Sequence, residues 1–139
     1  MPIEFDGPTR DAAIASIFLL LGNNAIAKVF TGARPATTSD ANTGTLLATF
    51  TLTGTWFTTP VVGQQGTLAT VFNTDALAPG GVPGYVRFYS SDNTCRFQGP
   101  VVVSPTPIPV DGGFQVSHSP WVAGEPVRLA TTLFKAQLT

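Results

Sequence analysis

The hydrophobic pattern begins with a helical period and then changes to a strand period. Within residues 11–21, Ile14, Ile17, Phe18 and Leu21 recur at i, i+3, i+4 and i+7, the spacing of one buried helical face. Thr9 is placed to cap this helix, Asp11 suits the positive end of its dipole, and Gly22 supplies a stop. Its polar face carries no Lys/Arg pattern, so it reads as a helix closing one end of a sandwich and not as a membrane-surface helix. After Asn24 the period becomes two. "AIAKVFTG" reads as a strand, "GTLLATFTLTGTWFTTPVV" as two strands meeting near Gly54, and "GTLATVFN" as another. A pair around "SSDN" follows, then "PVVV", "GFQVSHS" and the long "PVRLATTLFKAQL". Between them lie Gly- and Pro-rich stretches such as "GARPATTSDANTG", "LAPGGVPG" and "SPTPIPVDGG". About eight or nine short strands at regular spacing predict an all-β fold: a β-sandwich of jelly-roll type with one short N-terminal helix.

Residues 1–10 read as an arm ahead of a single domain, 11–139. Pro2 and Pro8 bracket "IEFDG", and Ile3 and Phe5 share one side of that segment if it is extended. Ordering such an arm costs about 1–2 kcal/mol of backbone entropy per residue. Burying Ile3 and Phe5 returns only about 1.5–3 kcal/mol each. Docking therefore needs backbone hydrogen bonds as well, and strand addition to an exposed edge supplies them. Two placements remain open, on a neighbouring subunit or on the chain's own sandwich.

The stretch "GYVRFYSSDNTCRFQG", residues 84–99, reads as a hairpin. "SSDN" has tight-turn chemistry. Val86 and Phe88 share one face; Arg87 and Tyr89 share the other. Two registers are open, Phe88 opposite Cys95 or Phe88 opposite Phe97. Either one places Cys95 inward with the phenylalanines and both Arg87 and Arg96 outward. Arg87, Tyr89 and Arg96 are thus candidate protein-interface residues, as are Ile3, Phe5 and Trp121, the last because it follows Pro120 in a turn.

Composition narrows the function. Charged residues are 11% of the chain, against about 25% in a typical soluble domain, and the net charge is −1. A surface this poor in charge tends to associate, so a chain that works while covered by partners is expected, with self-association into a dimer or other homo-oligomer. The seven Lys/Arg residues are scattered from Arg10 to Lys135, which argues against nucleic acid as a partner. "GYVRFY" has the look of an RNA-recognition strand, but that fold needs two helices behind its sheet. Cys95 is the only cysteine, so no internal disulfide forms and a reducing compartment is expected. The longest apolar run, "AIASIFLLLG", is shorter than the about 20 residues of a spanning helix, and the N-terminus has no basic signal-peptide start, so neither membrane nor secretion is expected.

Catalytic chemistry is sparse. His118 is the only histidine and ends the pattern "FQVSHSP", where a hydrogen-bonded or exposed strand residue is expected. The acids Asp40, Asp75, Asp92, Asp111 and Glu125 fall in turns, no Cys/His cluster suits zinc, and no Gly-rich loop opens a helix. No enzymatic activity, cofactor or metal is expected. Trp56, Phe57, Tyr89 and Trp121 are the aromatics available for a sugar-stacking platform, which makes a carbohydrate- or receptor-binding module the alternative reading.

Several short motifs occur in a recognisable order. The helix ending in Gly22 leads to "AKVFTGARPA", then "GTLLATFTL", the "GYVRFYSSDNTCRFQG" hairpin and a closing "WVAGEPVRLATTLFKAQL". Over most of residues 11–137 this order resembles the cement, or capsid-decoration, proteins of short-tailed phages. The resemblance implies a non-enzymatic jelly-roll protein, made in the host cytoplasm and located on the capsid exterior. It would bridge major capsid protein subunits there.

Overall fold

The computed structural model describes residues 6, 8–9, 12, 16, 19–22, 24–52, 57–58, 65–68, 72–75, 79–104, 106, 114–116, 118–129 and 133–135. Ile3 and Phe5 of the arm lie outside them, as do Trp56 and most of the predicted helical face. The fold is all-β with little helix. Among the described residues, twelve strands run in the order β1 (Ala25–Thr31), β2 (Leu46–Leu52), β3 (Phe57–Thr58), β4 (Gln65–Leu68), β5 (Phe72–Asp75), β6 (Gly80–Gly81), β7 (Pro83–Tyr89), β8 (Cys95–Val103), β9 (Phe114–Val116), β10 (Trp121–Val122), β11 (Pro126–Leu129) and β12 (Leu133–Lys135).

The helix starts earlier than the pattern predicts. Pro8 and Thr9 are already helical, as are Ala12, Ser16 and residues 19–21. Asp6 is the cap, because its Oδ1 accepts the Thr9 N–H at 2.9 Å; Thr9 is not. Pro8 fits there because a first-turn N–H has no helical partner to lose. The predicted arm therefore becomes helical at its last turn. Leu21 is buried in the core, and Gly22 follows it with φ 75°, as the predicted stop requires.

Seven strands form one curled sheet in the order β2-β1-β7-β8-β9-β11-β5. Its two end strands, β2 and β5, approach each other. All pairings in it are antiparallel except β8 with β9. A three-stranded sheet, β12-β4-β3, and a two-stranded ribbon, β10-β6, complete the described strands. Three sequence expectations change here. "GTLATVFN" is not one strand, since β4 and β5 belong to different sheets. "PVRLATTLFKAQL" likewise divides into β11 and β12. The hairpin's second strand and "PVVV" are instead continuous, as β8.

The core lies on one face of the curled sheet. Ala25, Ala27 and Val29 of β1 meet Ala48, Phe50 and Leu52 of β2, and Val86 and Phe88 of β7. A bulge between Val29 and Phe30 leaves Leu47 as an extra residue in β2, so Leu47 and Ala48 are both buried. Phe88 stacks on Phe97 at 4.5 Å and on Phe114 at 5.1 Å between ring centroids. Each such pair adds about 0.5–1.5 kcal/mol beyond area burial. Phe88 pairs directly with Phe97, one of the two registers open in the sequence.

β1 and β7 pack backbone to backbone where they leave the sheet. A Cβ built on Gly84 would lie 2.0 Å from the Gly32 carbonyl oxygen. Backbone cannot swing aside as a flexible side chain can. Gly84→Ala is therefore expected to cost the upper part of the about 1–3 kcal/mol of overpacking. Gly124→Ala meets no atom within 4 Å and carries only the strain of φ 82°. Denaturant unfolding of the two variants checks this, and equal midpoints would contradict the close approach.

Candidate functional site

β7 is buried on both faces, and the face away from the core is the notable one. Alternation places Tyr85, Arg87 and Tyr89 there, beside Lys28 and Phe30 of β1 and Gln98 of β8. Residues 32–45, which connect β1 to β2, fold back over this face. Arg87 is the centre of the contact and is 2% exposed. Its Nε donates to Gln98 Oε1 at 2.9 Å. One terminal nitrogen donates to the Asp40 carbonyl at 2.9 Å and to Asn42 Oδ1 at 2.7 Å. The other donates to the Thr37 carbonyl at 3.0 Å.

The neighbouring side chains hold the same loop. Gln98 Nε2 donates to the Pro35 carbonyl at 2.7 Å. The Tyr85 hydroxyl donates to the Thr43 carbonyl at 2.6 Å and accepts the Thr43 N–H at 3.0 Å. The Tyr89 hydroxyl donates to Asn42 Oδ1 at 2.9 Å. Lys28 Nζ sits 4.8 Å from the Tyr89 ring centroid, and Phe30 stacks on Tyr85 at 5.2 Å. The loop also ties itself: Asp40 Oδ2 accepts the Thr37 N–H at 2.8 Å, and Thr43 Oγ1 donates to the Ala33 carbonyl at 2.8 Å.

The predicted outward placement of Arg87 and Tyr89 is corrected. Both are buried, because the loop covers them. The two arginines do not face each other either, since Arg87 pairs with Gln98. A bulge at Phe88/Tyr89 makes Arg96 the extra residue of β8 and sets Cys95 against Tyr89. Cys95 thus lies on the Tyr89 side and not with the phenylalanines. Burial pushes its thiol pKa up, against a smaller opposing effect of Arg87, so the reactive thiolate is disfavoured.

Arg96 turns back onto the hairpin tip. Its Nε donates to Ser90 Oγ at 3.0 Å, and it pairs with Asp92 at 3.4 Å. The Ser90 hydroxyl donates to Asp92 Oδ1. That hydrogen bond, ahead of the Thr94 N–H and the Arg96 charge, holds the Asp92 carboxyl below its ordinary pKa. Asn93 takes the left-handed conformation, φ 63°, within this turn.

Trp121 is also corrected. It is 3% exposed, and its Nε1 donates to the His118 carbonyl at 3.0 Å. With Tyr89 and Trp121 buried, two of the four aromatics of the sugar-platform alternative are withdrawn from the surface. His118 is exposed and meets Glu125 Oε1 at 3.0 Å through Nε2. Among the described residues, no group of three or more His, Cys, Asp or Glu is placed to hold a metal ion, and no helix is long and apolar enough to cross a membrane.

Arg87 and Tyr89 are the predicted residues that the fold brings together. Arg96 and Trp121 lie in separate clusters. Asn42, Gln98, Tyr85 and the loop carbonyls were not foreseen. The available signal was the length of "GARPATTSDANTG" between two adjacent strands. In chemical terms, the site is a clamp: one buried guanidinium is anchored to the sheet by Gln98 and fixes an exposed loop by three hydrogen bonds. The chain matches no protein-family profile, no curated protein and no solved structure.

Arg87→Leu leaves the Thr37 and Asp40 carbonyls without their donor. A hydrogen bond to a charged group contributes about 1.5–3 kcal/mol. Amide exchange at Thr37, Asp40 and Thr43 should therefore accelerate by about tenfold or more, with Ala27 and Val29 in β1 unchanged. Arg87→Lys should not restore protection, since an ammonium lacks the planar fork. Unchanged exchange in Arg87→Leu would contradict the clamp.

Glu125 gives a pH prediction. The Val122 N–H, and then the His118 ring, hold its carboxyl below its ordinary 4.5. A depressed folded pKa contributes stability that is present above 4.5 and lost as pH falls through the lower folded value. Glu125→Gln should flatten this acid limb of the stability–pH curve. A limb superimposable on the wild type would contradict the assignment.

Proposed function

We propose that this chain is a structural virion protein that binds the outside of a phage head and stabilises it by bridging major capsid protein subunits. The observation that carries the reading is how the richest polar cluster among the described residues is used. Arg87, Tyr85, Tyr89 and Gln98 are engaged in holding one loop, whose Asn42 accepts from Arg87 and Tyr89. Side chains of these types serve catalysis, nucleic acid or sugars when they are open to solvent, and here they serve shape. The low charge of the chain and the order of its short motifs from the N-terminal helix to "WVAGEPVRLATTLFKAQL" support the same reading.

The proposal includes the finer features of the sequence reading. The sheet is of jelly-roll sandwich type, a reading supported by the mutual approach of its end strands β2 and β5. The chain is made in the host cytoplasm and acts on the capsid exterior. It self-associates, takes the major capsid protein as its partner, and has no role towards nucleic acid or membrane.

Copy number tests the reading directly. Gel densitometry of purified particles should give a count per particle near that of the shell protein. A handful of copies would place the chain in a tail or receptor component, and its absence from particles would refute a virion role.

A further inference from the structure

We propose that the outer side of the 32–45 loop, together with Val82 and Val122 at its root, is the surface by which this chain grips a second, different protein through uncharged contacts. The proposal rests on the virion reading, in which that protein is the shell protein. The first observation is the length of the connection. β1 and β2 are antiparallel neighbours, and a turn of two to five residues joins such strands. Connectors longer than about 12–15 residues without secondary structure are uncommon, and they are functional or disordered. This one is tied down at Pro35, Thr37, Asp40, Asn42 and Thr43 by side chains of the sheet.

The second observation is what the tying-down leaves outside. Pro35 is buried, but Ala33, Arg34, Ala36, Ala41 and Asn42 remain exposed. The inner side of the loop covers Tyr85, Arg87 and Tyr89, and these residues of its outer side are left in solvent. Fixing an exposed loop in advance removes the ordering cost that a partner would otherwise have to offset on binding.

The third observation is independent of the loop's hydrogen bonds. Val82 and Val122 are 60% and 64% exposed, large apolar side chains in water. Val82 adjoins Pro83, which pairs with Thr31 at the root of the loop. Val122 pairs with Gly80 in the β6–β10 ribbon, and Val82 follows directly where β6 ends, so the two exposed valines lie on neighbouring parts of the chain. The surface therefore continues from the loop onto an apolar ribbon.

Charge selects the class of partner. Arg34 and Asp40 are the only charged residues of the loop, one of each sign, and residues 79–82 and 120–124 contain none. A phosphate backbone requires clustered cations and a steep salt dependence. Methyl and hydroxyl groups instead fit a protein surface of similar neutrality.

The test uses purified chain and heads of the phage that encodes it, prepared without its gene. Ala36→Glu, Ala41→Glu and Val82→Glu each place a charge on the proposed surface at an exposed position. Ser91→Lys places one at the far tip of the β7–β8 hairpin. The expected result is at least about tenfold weaker head binding for each glutamate variant, wild-type binding for Ser91→Lys, and little change of wild-type affinity between low and high salt. Thermal melting checks that each variant is folded. A photo-crosslinker at Ala36 gives a second readout should a variant misfold, with an adduct to the shell protein expected. Wild-type affinity in all three glutamate variants overturns the inference alone. A crosslink to DNA, or none, does the same. If the wild-type chain does not bind heads at all, the virion reading fails and the inference falls with it.

Discussion

The Arg87 guanidinium is buried on the outer face of the sheet, and its N–H donors have to find acceptors there. The sheet supplies one, Gln98. The others are two backbone carbonyls and an amide oxygen, all from the loop between β1 and β2. The path of that loop follows from this requirement. Hydrogen bonds to a charged donor contribute about 1.5–3 kcal/mol each, while removing an ion from water costs several kcal/mol even after relaxation. The two are of the same scale, so the cluster adds little net stability. Its effect is positional: one conformation of the loop satisfies the cation, and displaced ones leave it unpaired.

The burial of β7 on both faces follows from the same constraint. On the inner face Val86 and Phe88 meet the apolar residues of β1 and β2 and the rings of Phe97 and Phe114. On the outer face Tyr85 and Tyr89 keep their rings under the loop and direct their hydroxyls to its polar atoms. A tyrosine suits this position because one end is apolar and the other needs a partner. Close backbone approach completes the root of the loop, where Gly84 leaves room for the Gly32 carbonyl.

What was legible in the sequence was local. Alternation located β1, β2 and β7, the Gly22 stop, and the pairing of Phe88 with Phe97 as one of two registers. Alternation also assigned Arg87 and Tyr89 to the face away from the phenylalanines, and that assignment holds. What it does not encode is whether that face meets water. The covering loop bonds to Gln98 from Pro35, far away in sequence, and no period spans that distance. Trp121 was misjudged for a similar reason: a turn position suggests exposure, but its indole N–H is satisfied by the His118 carbonyl as the ring packs inward. Strand period is also silent on sheet membership, so "PVRLATTLFKAQL" reads as one strand although β11 and β12 pair in different sheets. At the other end, Thr9 has a capping side chain, but a proline in the first turn is compatible with a cap at Asp6, and Asp6 is the cap.

The central claim is that an exposed loop of this length is rigid because a buried arginine holds it. Backbone ¹⁵N order parameters of the wild-type chain test this most directly. The account predicts values near about 0.85 across residues 33–45, equal to those of β1 and β7. Values below about 0.6 in residues 35–43, with β1 and β7 rigid, would contradict it.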